Sequence, residues 1–447
     1  MDSIDEEEIK NTGTYSVRLP WSEIRANVYP FFQNSNPTGD AGAFRRARTR
    51  LMKTLPFRSL RLASLDSAFD KMPKGTNLGA PTFSNDKKFA KMYLERAKSI
   101  TSADDLFEFV VFWRGQPNGT PVPKQRTVMG GDHLDTILWE RILIPLLDVL
   151  RKVPGNAAWN DPDYVDLAIT ELLEYAGRNK LVIVSGDQSK YDAHLSAPII
   201  NVVFDFLESV FQASDSFIIN VLREHFLHGG LICPDGILTG RNGAVMSGSG
   251  GTNPVDGLGN QFASYYVAEA FGCELARMEV MGDDFVDVFT KDVLDDLEEI
   301  MESIGLVVNK EKQFVSDRSC HYLQRWHSLD YKIDGICRGV RSPFRALNGM
   351  MSRERTVSGW NEMMDSVRWY MQGEMVRWDK RFVPFVKLMK EGDRVTKAGI
   401  DPYEVVQRAG GTKKVRRVLR IQSFPFNVKE PEGIDKFAIT KVLRSLM

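Results

Sequence analysis

The chain has 447 residues, enough for two or three domains or one large mixed fold, and its 43% hydrophobic and 26% charged content is that of a globular protein. No run reaches the ~18 consecutive apolar residues of a membrane span, and the acidic opening MDSIDEEEIK lacks the apolar core of a signal peptide. Four cysteines without paired spacing (Cys233, Cys273, Cys320, Cys337) fit a reducing compartment, so the expectation is a soluble intracellular protein.

A formal net charge of −1 argues against a nucleic-acid partner only if charge is evenly spread. Arg45, Arg46, Arg48, Arg50, Lys53, Arg58 and Arg61 crowd one segment, and Lys413, Lys414, Arg416, Arg417 and Arg420 another. Acid gathers elsewhere, at Asp292, Asp295, Asp296, Glu298, Glu299 and Glu302. Segregated charge allows a basic channel, although each run alone also suits a solvated face.

In chain order, a proline-rich loop over 116–123 is followed by Lys124-Gln125-Arg126-Thr127-Val128. On an extended segment Lys124 and Arg126 share one side, able to meet a triphosphate or simply to protect a strand edge. Apolar spacing predicts a helix over Thr136–Val153. Leu181–Val184 reads as a buried strand ending at Ser185-Gly186-Asp187. A helix then runs to Phe211, with Ser196 as cap and Pro198 in its first turn. His225, His228 and Cys233 have a partial zinc-ligand pattern, without an evident fourth ligand. The glycine-dense Ser247-Gly248-Ser249-Gly250-Gly251-Thr252-Asn253-Pro254 leads into a helix towards Ala270, with Asn253 and Pro254 as cap and first turn. It is either a phosphate-binding loop or a flexible linker, and it lacks the lysine of a P-loop.

Met278–Met281 and Phe285–Phe289 flank Gly282-Asp283-Asp284, a β-hairpin pattern. Val293, Leu294, Leu297, Ile300, Met301 and Ile304 mark an amphipathic helix ended by Gly305, after which Leu306–Val308 resumes strand. The sum is an α+β core with helices on one face of an antiparallel sheet, followed by a mainly helical C-terminal region. Asp187 at a strand end and Asp283 on a tight turn are oxygen ligands of the kind a hard cation takes. If the two strands are neighbours, the two acids can bridge a pair of Mg²⁺ ions. Taken singly, either acid is also a common turn or capping residue.

In this order, the Lys124–Val128, Asp187–Asp192, Ser247–Asn253 and Gly282–Asp284 segments resemble the F, A, B and C motifs of viral RNA-dependent RNA polymerases. Ser247–Asn253 with Val255-Asp256 is similar to the polymerases of picobirnaviruses and, more loosely, partitiviruses, which have double-stranded RNA genomes. The resemblance implies an α+β right-hand polymerase fold of fingers, palm and thumb, with an antiparallel palm sheet backed by helices. The boundaries it suggests are an N-terminal region and fingers over 1–180, palm over 181–199 and 245–335, a fingers insertion over 200–244, and thumb over 336–447.

It implies Asp187, Asp283 and Asp284 as catalytic ligands of two Mg²⁺ or Mn²⁺ ions. Lys124 and Arg126 would lie on the incoming triphosphate, with Asp192, Ser247, Thr252 and Asp256 around the ribose. Lys312 would be the general acid, with Lys310 as competitor. Thr76, Gly79 and Pro81 match the template-entrance motif, and Gly248, Gln324 and Arg325 would meet template or primer. Many positive-strand relatives carry asparagine where this chain has Asp256; here Asn260 lies one turn later. Implied partners are RNA template, nascent strand and NTPs, with a capsid protein left open, no membrane, and a place in the host cytoplasm or inside the virion. A stand-alone polymerase of a small or segmented genome is the expectation. A reverse transcriptase and a non-enzymatic RNA-binding protein are the rivals; the first would reject ribonucleotides, and the second would tolerate loss of Asp283.

Overall fold

Hydrophobic alternation builds the centre of the molecule, an antiparallel sheet buried on both faces. The computed structural model describes residues 2–10, 17–35, 37–55, 59–72, 77–84, 86–116, 124–186, 188–308, 313–351, 358–419 and 433–447. Among these, the strands are β1 (Phe109–Gln116), β2 (Lys124–Gly130), β3 (Val182–Gly186), β4 (Leu231–Cys233), β5 (Gly236–Leu238), β6 (Leu275–Met281), β7 (Asp284–Phe289), β8 (Phe314–Ser316), β9 (Ser319–Tyr322) and β10 (Arg325–Ser328).

The central sheet runs β6-β7-β3-β8, all pairs antiparallel. Along β7, Phe285 and Phe289 face the core that holds Val255, Leu258 and Phe262 of the helix Thr252–Phe271. Val286 and Val288 face the opposite core, with Val165, Ile169, Leu172 and Leu173 of the helix Pro162–Asn179. The period-two pattern therefore has two apolar sides. Helices lie on both faces rather than one, because β3 and β7 carry buried residues at successive positions.

A second sheet, β2-β1-β4-β5, pairs Arg114 with Arg126 and Gln116 with Lys124. The C-terminal region is helical, as expected, and has its own core around Met364, Tyr370, Val386, Val405 and Leu443. The N-terminal helix Asp2–Lys10 clasps this region: Asp5 accepts from Ser342 and Arg381 (both 2.6 Å), and Glu8 pairs with Arg345 (2.6 Å).

Several local expectations shift. The helix predicted from Thr136 starts at His133, because Asp132 caps it through the Leu134 N–H. The glycine-loop helix starts at Thr252 with Gly251, not Asn253, at its cap. Ser196 does precede a helix, Ala197–Val210, but its hydroxyl donates to the Ile304 carbonyl instead of capping. Leu306–Val308 makes only an isolated bridge, Gln188 to Val308, and the sheet is completed by β8. Three arginines of the first basic cluster are paired within the fold: Arg46 and Arg50 with Glu269, and Arg48 with Asp205. Arg58 and Arg420 lie outside the described residues.

Candidate active site

The Gly282-Asp283 turn is tight because Met281 pairs directly with Asp284, leaving two residues to reverse the chain. Gly282 takes φ +62°, which a glycine at the first position of such a turn allows without steric cost. Asp283 is exposed at the tip and Asp284, half-buried, opens β7. Asp187 lies outside the described residues, as do Thr76, Lys310 and Lys312. Its neighbours are described: Gly186 pairs with Phe285, one residue beyond Asp284. Gln188, 2% exposed, donates to Asn260 at 2.9 Å. Asn260 in turn donates to the Gly282 carbonyl at 3.0 Å. The strand end after β3 and the hairpin turn are thus tied together through one side chain of the helix Thr252–Phe271.

Acid concentrates around this joint. Burial raises the Asp192 carboxyl above its ordinary range, opposed by the Arg126 guanidinium. Asp256, 4% exposed, is pushed well above the usual range by burial, then by Asp192 and Asp283. One of its carboxyl oxygens is buried without a protein partner. The Tyr191 hydroxyl, donating to the Asp256 carbonyl at 3.0 Å, is raised by burial and by the same three aspartates. Burial and the mutual repulsion of these carboxyls favour their protonated forms.

Lys124 and Arg126 are exposed on one side of β2, as alternation requires. The glycine loop packs on the other end of that strand. Met129 N–H donates to Ser247 Oγ (3.3 Å) and Gly130 bridges to Gly248. A side chain at Gly248 would place Cβ 1.9 Å from the Met129 carbonyl oxygen, so glycine is required there. The Thr252 hydroxyl donates to the Met246 and Ser249 carbonyls, both at 3.0 Å. Gly79 is buried against the Gly131 carbonyl, and Pro81 is exposed beside it. Gln324 is exposed at the turn between β9 and β10. Arg325 donates to Asp166 (2.9 Å), whose side chain is fully buried.

Asp135 and Asp166 are among the buried acids with structural roles that escaped sequence reasoning. Both sit in apolar helices, where an acid on the primary sequence is indistinguishable from a solvated one. The zinc pattern does not assemble: His225 stacks on Phe109 with ring centroids 4.8 Å apart, and His228 contacts the Arg241 carbonyl. No three metal-ligating side chains meet among the described residues.

Residues 155–341, which hold β3, the glycine loop and the hairpin, match the family model of viral RNA-dependent RNA polymerase. A potential RNA-dependent RNA polymerase of human picobirnavirus is 27% identical over 411 residues, 88% of this chain and 76% of the relative. The crystal structure of the RNA-dependent RNA polymerase of a human picobirnavirus superposes with a TM-score of 0.83 at 25% identity, covering 100% of this chain and 88% of that one. The chain is thus similar to the viral RNA-dependent RNA polymerases. An insertion-loop deletion mutant of the RNA-dependent RNA polymerase of a human picobirnavirus matches the chain with a TM-score of 0.84 at 24% identity, over 100% of this chain and 87% of that one. The polymerase accordingly has the right-hand fold, with β6-β7-β3-β8 as its palm sheet. RNA and nucleoside triphosphates are the partners such an enzyme implies, and divalent metal ions are general in the family. No described helix is long and apolar enough to cross a membrane.

Proposed function

We propose that this polymerase copies viral RNA for genome replication and transcription, transferring nucleotides from NTPs to an RNA 3′-hydroxyl at a site held by Asp187, Asp283 and Asp284. The observation that carries this reading is the register of the palm sheet: Gly186, immediately before Asp187, pairs with Phe285, immediately after Asp284. Two acidic motifs distant in sequence thereby converge. Their carboxylates would hold two Mg²⁺ or Mn²⁺ ions. When bound, these supply activation of the 3′-hydroxyl and charge neutralisation at the departing pyrophosphate.

Lys124 and Arg126 offer exposed cations to the triphosphate, and the raised Asp192 and Asp256 carboxyls offer hydrogen bonds to the ribose 2′-hydroxyl. Ser247 and Thr252 belong to the same ribose-selecting loop. Thr76, Gly79, Pro81, Gly248 and Gln324 are assigned to template and primer, and Lys312 to general acid catalysis. The division into fingers (1–180 and 200–244), palm (181–199 and 245–335) and thumb (336–447) is supported by the separate C-terminal core beyond β10. Work in the host cytoplasm or within the virion, beside capsid protein, completes the proposal.

The test is ribonucleotide incorporation on a single-stranded RNA template with Mg²⁺, comparing the wild type with Asp283→Ala. Template-dependent product that vanishes in the variant supports the site. Preference for deoxynucleotides would instead favour a reverse transcriptase, and RNA binding without synthesis would leave a binding protein.

A further inference from the structure

The helix Thr252–Phe271 begins without a side-chain cap of its own, since its cap residue is Gly251. A helix start leaves N–H groups that need acceptors, and inside a protein water cannot supply them freely. Here Ser249 takes the Gly251 and Thr252 N–H groups, and Ser249 is itself held by another element. Asp135, in the first turn of the helix His133–Leu150, is 1% exposed. Its carboxyl accepts the Ser249 hydroxyl (3.0 and 3.1 Å to its two oxygens) and the Gly250 N–H (2.8 Å). The Ser249 hydroxyl accepts the Gly251 N–H in turn (3.2 Å).

The rest of the loop is gripped by β2, through Ser247 and Gly248. Asp135 lies just beyond the end of that same strand, five residues after Gly130. The strand bearing Lys124 and Arg126 and the loop bearing Ser247 and Thr252 are therefore fixed to each other at two points. One is the contact of Ser247 and Gly248 with Met129 and Gly130; the other is a single buried carboxyl. Glycines at 248, 250 and 251 give the loop little rigidity of its own.

We propose that Asp135 is a positioning residue for nucleotide selection, acting through Ser249 and Gly250 to set the distance between the triphosphate cations and the ribose-selecting loop. Its hydrogen bonds go to Ser249 and Gly250, so it acts through the loop. This rests on the function proposed above, since selection is meaningful only if the loop meets the incoming nucleotide.

The test is single-nucleotide incorporation by the full chain, with kcat and KM measured separately for ribo- and 2′-deoxyribonucleotides. Asp135→Ala and Ser249→Ala should each lower ribose selectivity by about tenfold, the worth of about one hydrogen bond. The double variant should lose no more than Asp135→Ala alone, because that change already removes the acceptor of the Ser249 hydroxyl. Asp135→Asn, which keeps an acceptor for the Gly250 N–H, should recover most of the selectivity. If Asp135→Ala fails to fold, Ser249→Ala decides alone. Wild-type selectivity in Ser249→Ala, with Asp283→Ala inactive in the same assay, overturns the positioning role and leaves the polymerase site standing. Activity surviving Asp283→Ala overturns both.

Discussion

Asn260 joins the two acidic motifs of the palm: its amide donates to the Gly282 carbonyl at 3.0 Å while its oxygen accepts from Gln188 at 2.9 Å. Asn260 is fully buried, so both partners would lose their hydrogen bonds in a dry site if it were removed. Asn260→Ala is expected to cost about 1–3 kcal/mol of stability, the penalty for unsatisfied buried polar groups. The incorporation rate should fall further than RNA affinity, because the change loosens the turn that carries Asp283. Equal loss of rate and affinity, measured by incorporation kinetics and filter binding, would contradict this.

Gly248 and Gly257 make opposite predictions within one motif. A Cβ at Gly248 would lie 1.9 Å from the Met129 carbonyl oxygen, whereas one at Gly257 would meet only the Gly282 nitrogen at an ordinary 3.8 Å. Gly248→Ala should therefore separate loop from strand, with a cost of about 1–3 kcal/mol for overpacking and a sharp loss of incorporation. Gly257→Ala, in a helix interior, should be tolerated or slightly stabilising. Paired thermal melts and incorporation assays check both; a tolerated Gly248→Ala would mean the loop moves freely.

Three buried carboxyls give stability a definite pH slope. Burial pushes Asp135, Glu279 and Asp287 each up to about 7. In the unfolded chain such groups titrate near ~4, so between these values the folded state holds protons that the unfolded state has lost. Their contribution is complete below the unfolded value and is lost as pH rises through about 7. Each group sets a slope of at most about 1.4 kcal/mol per pH unit. Four histidines, His133, His225, His321 and His327, are lowered by burial and act in the opposite sense, so the check is a comparison of variants: between pH 5.5 and 8 the wild type should lose melting temperature relative to Asp287→Asn. An identical pH dependence in the two proteins would contradict the neutral state of Asp287.

Asp166 pins the junction between palm and the C-terminal region. Its buried carboxyl takes Arg325 at 2.9 Å and the Gly339 N–H at 3.2 Å, with Arg338 at 3.7 Å. Asp166→Ala leaves arginine charge without its partner and should cost about 3–5 kcal/mol. Asp166→Asn keeps an acceptor and should cost less. Urea midpoints for the two variants measure this, and an Asp166→Ala midpoint near wild type would show that water reaches the arginines.

Much of the palm was legible in the linear chain. Apolar runs at Leu181–Val184 and Phe285–Phe289 have few alternatives to buried strands, and Gly282-Asp283 has few alternatives to a turn, because these preferences act over a handful of neighbouring residues. The order of the basic, acidic and glycine-rich segments carried the resemblance. Partnership was not legible. Arg46, Arg48 and Arg50 read as an open basic face, yet they meet Glu269 and Asp205, more than a hundred residues away. Arg325 read as an RNA contact and is held by Asp166; Asp135 read as nothing and holds the glycine loop. Periodicity and turn chemistry are local, so the sequence by itself determined which segments become strand, helix and turn. Whether a charge faces solvent or a buried partner depends on which distant surface covers it, and only the tertiary structure decided that.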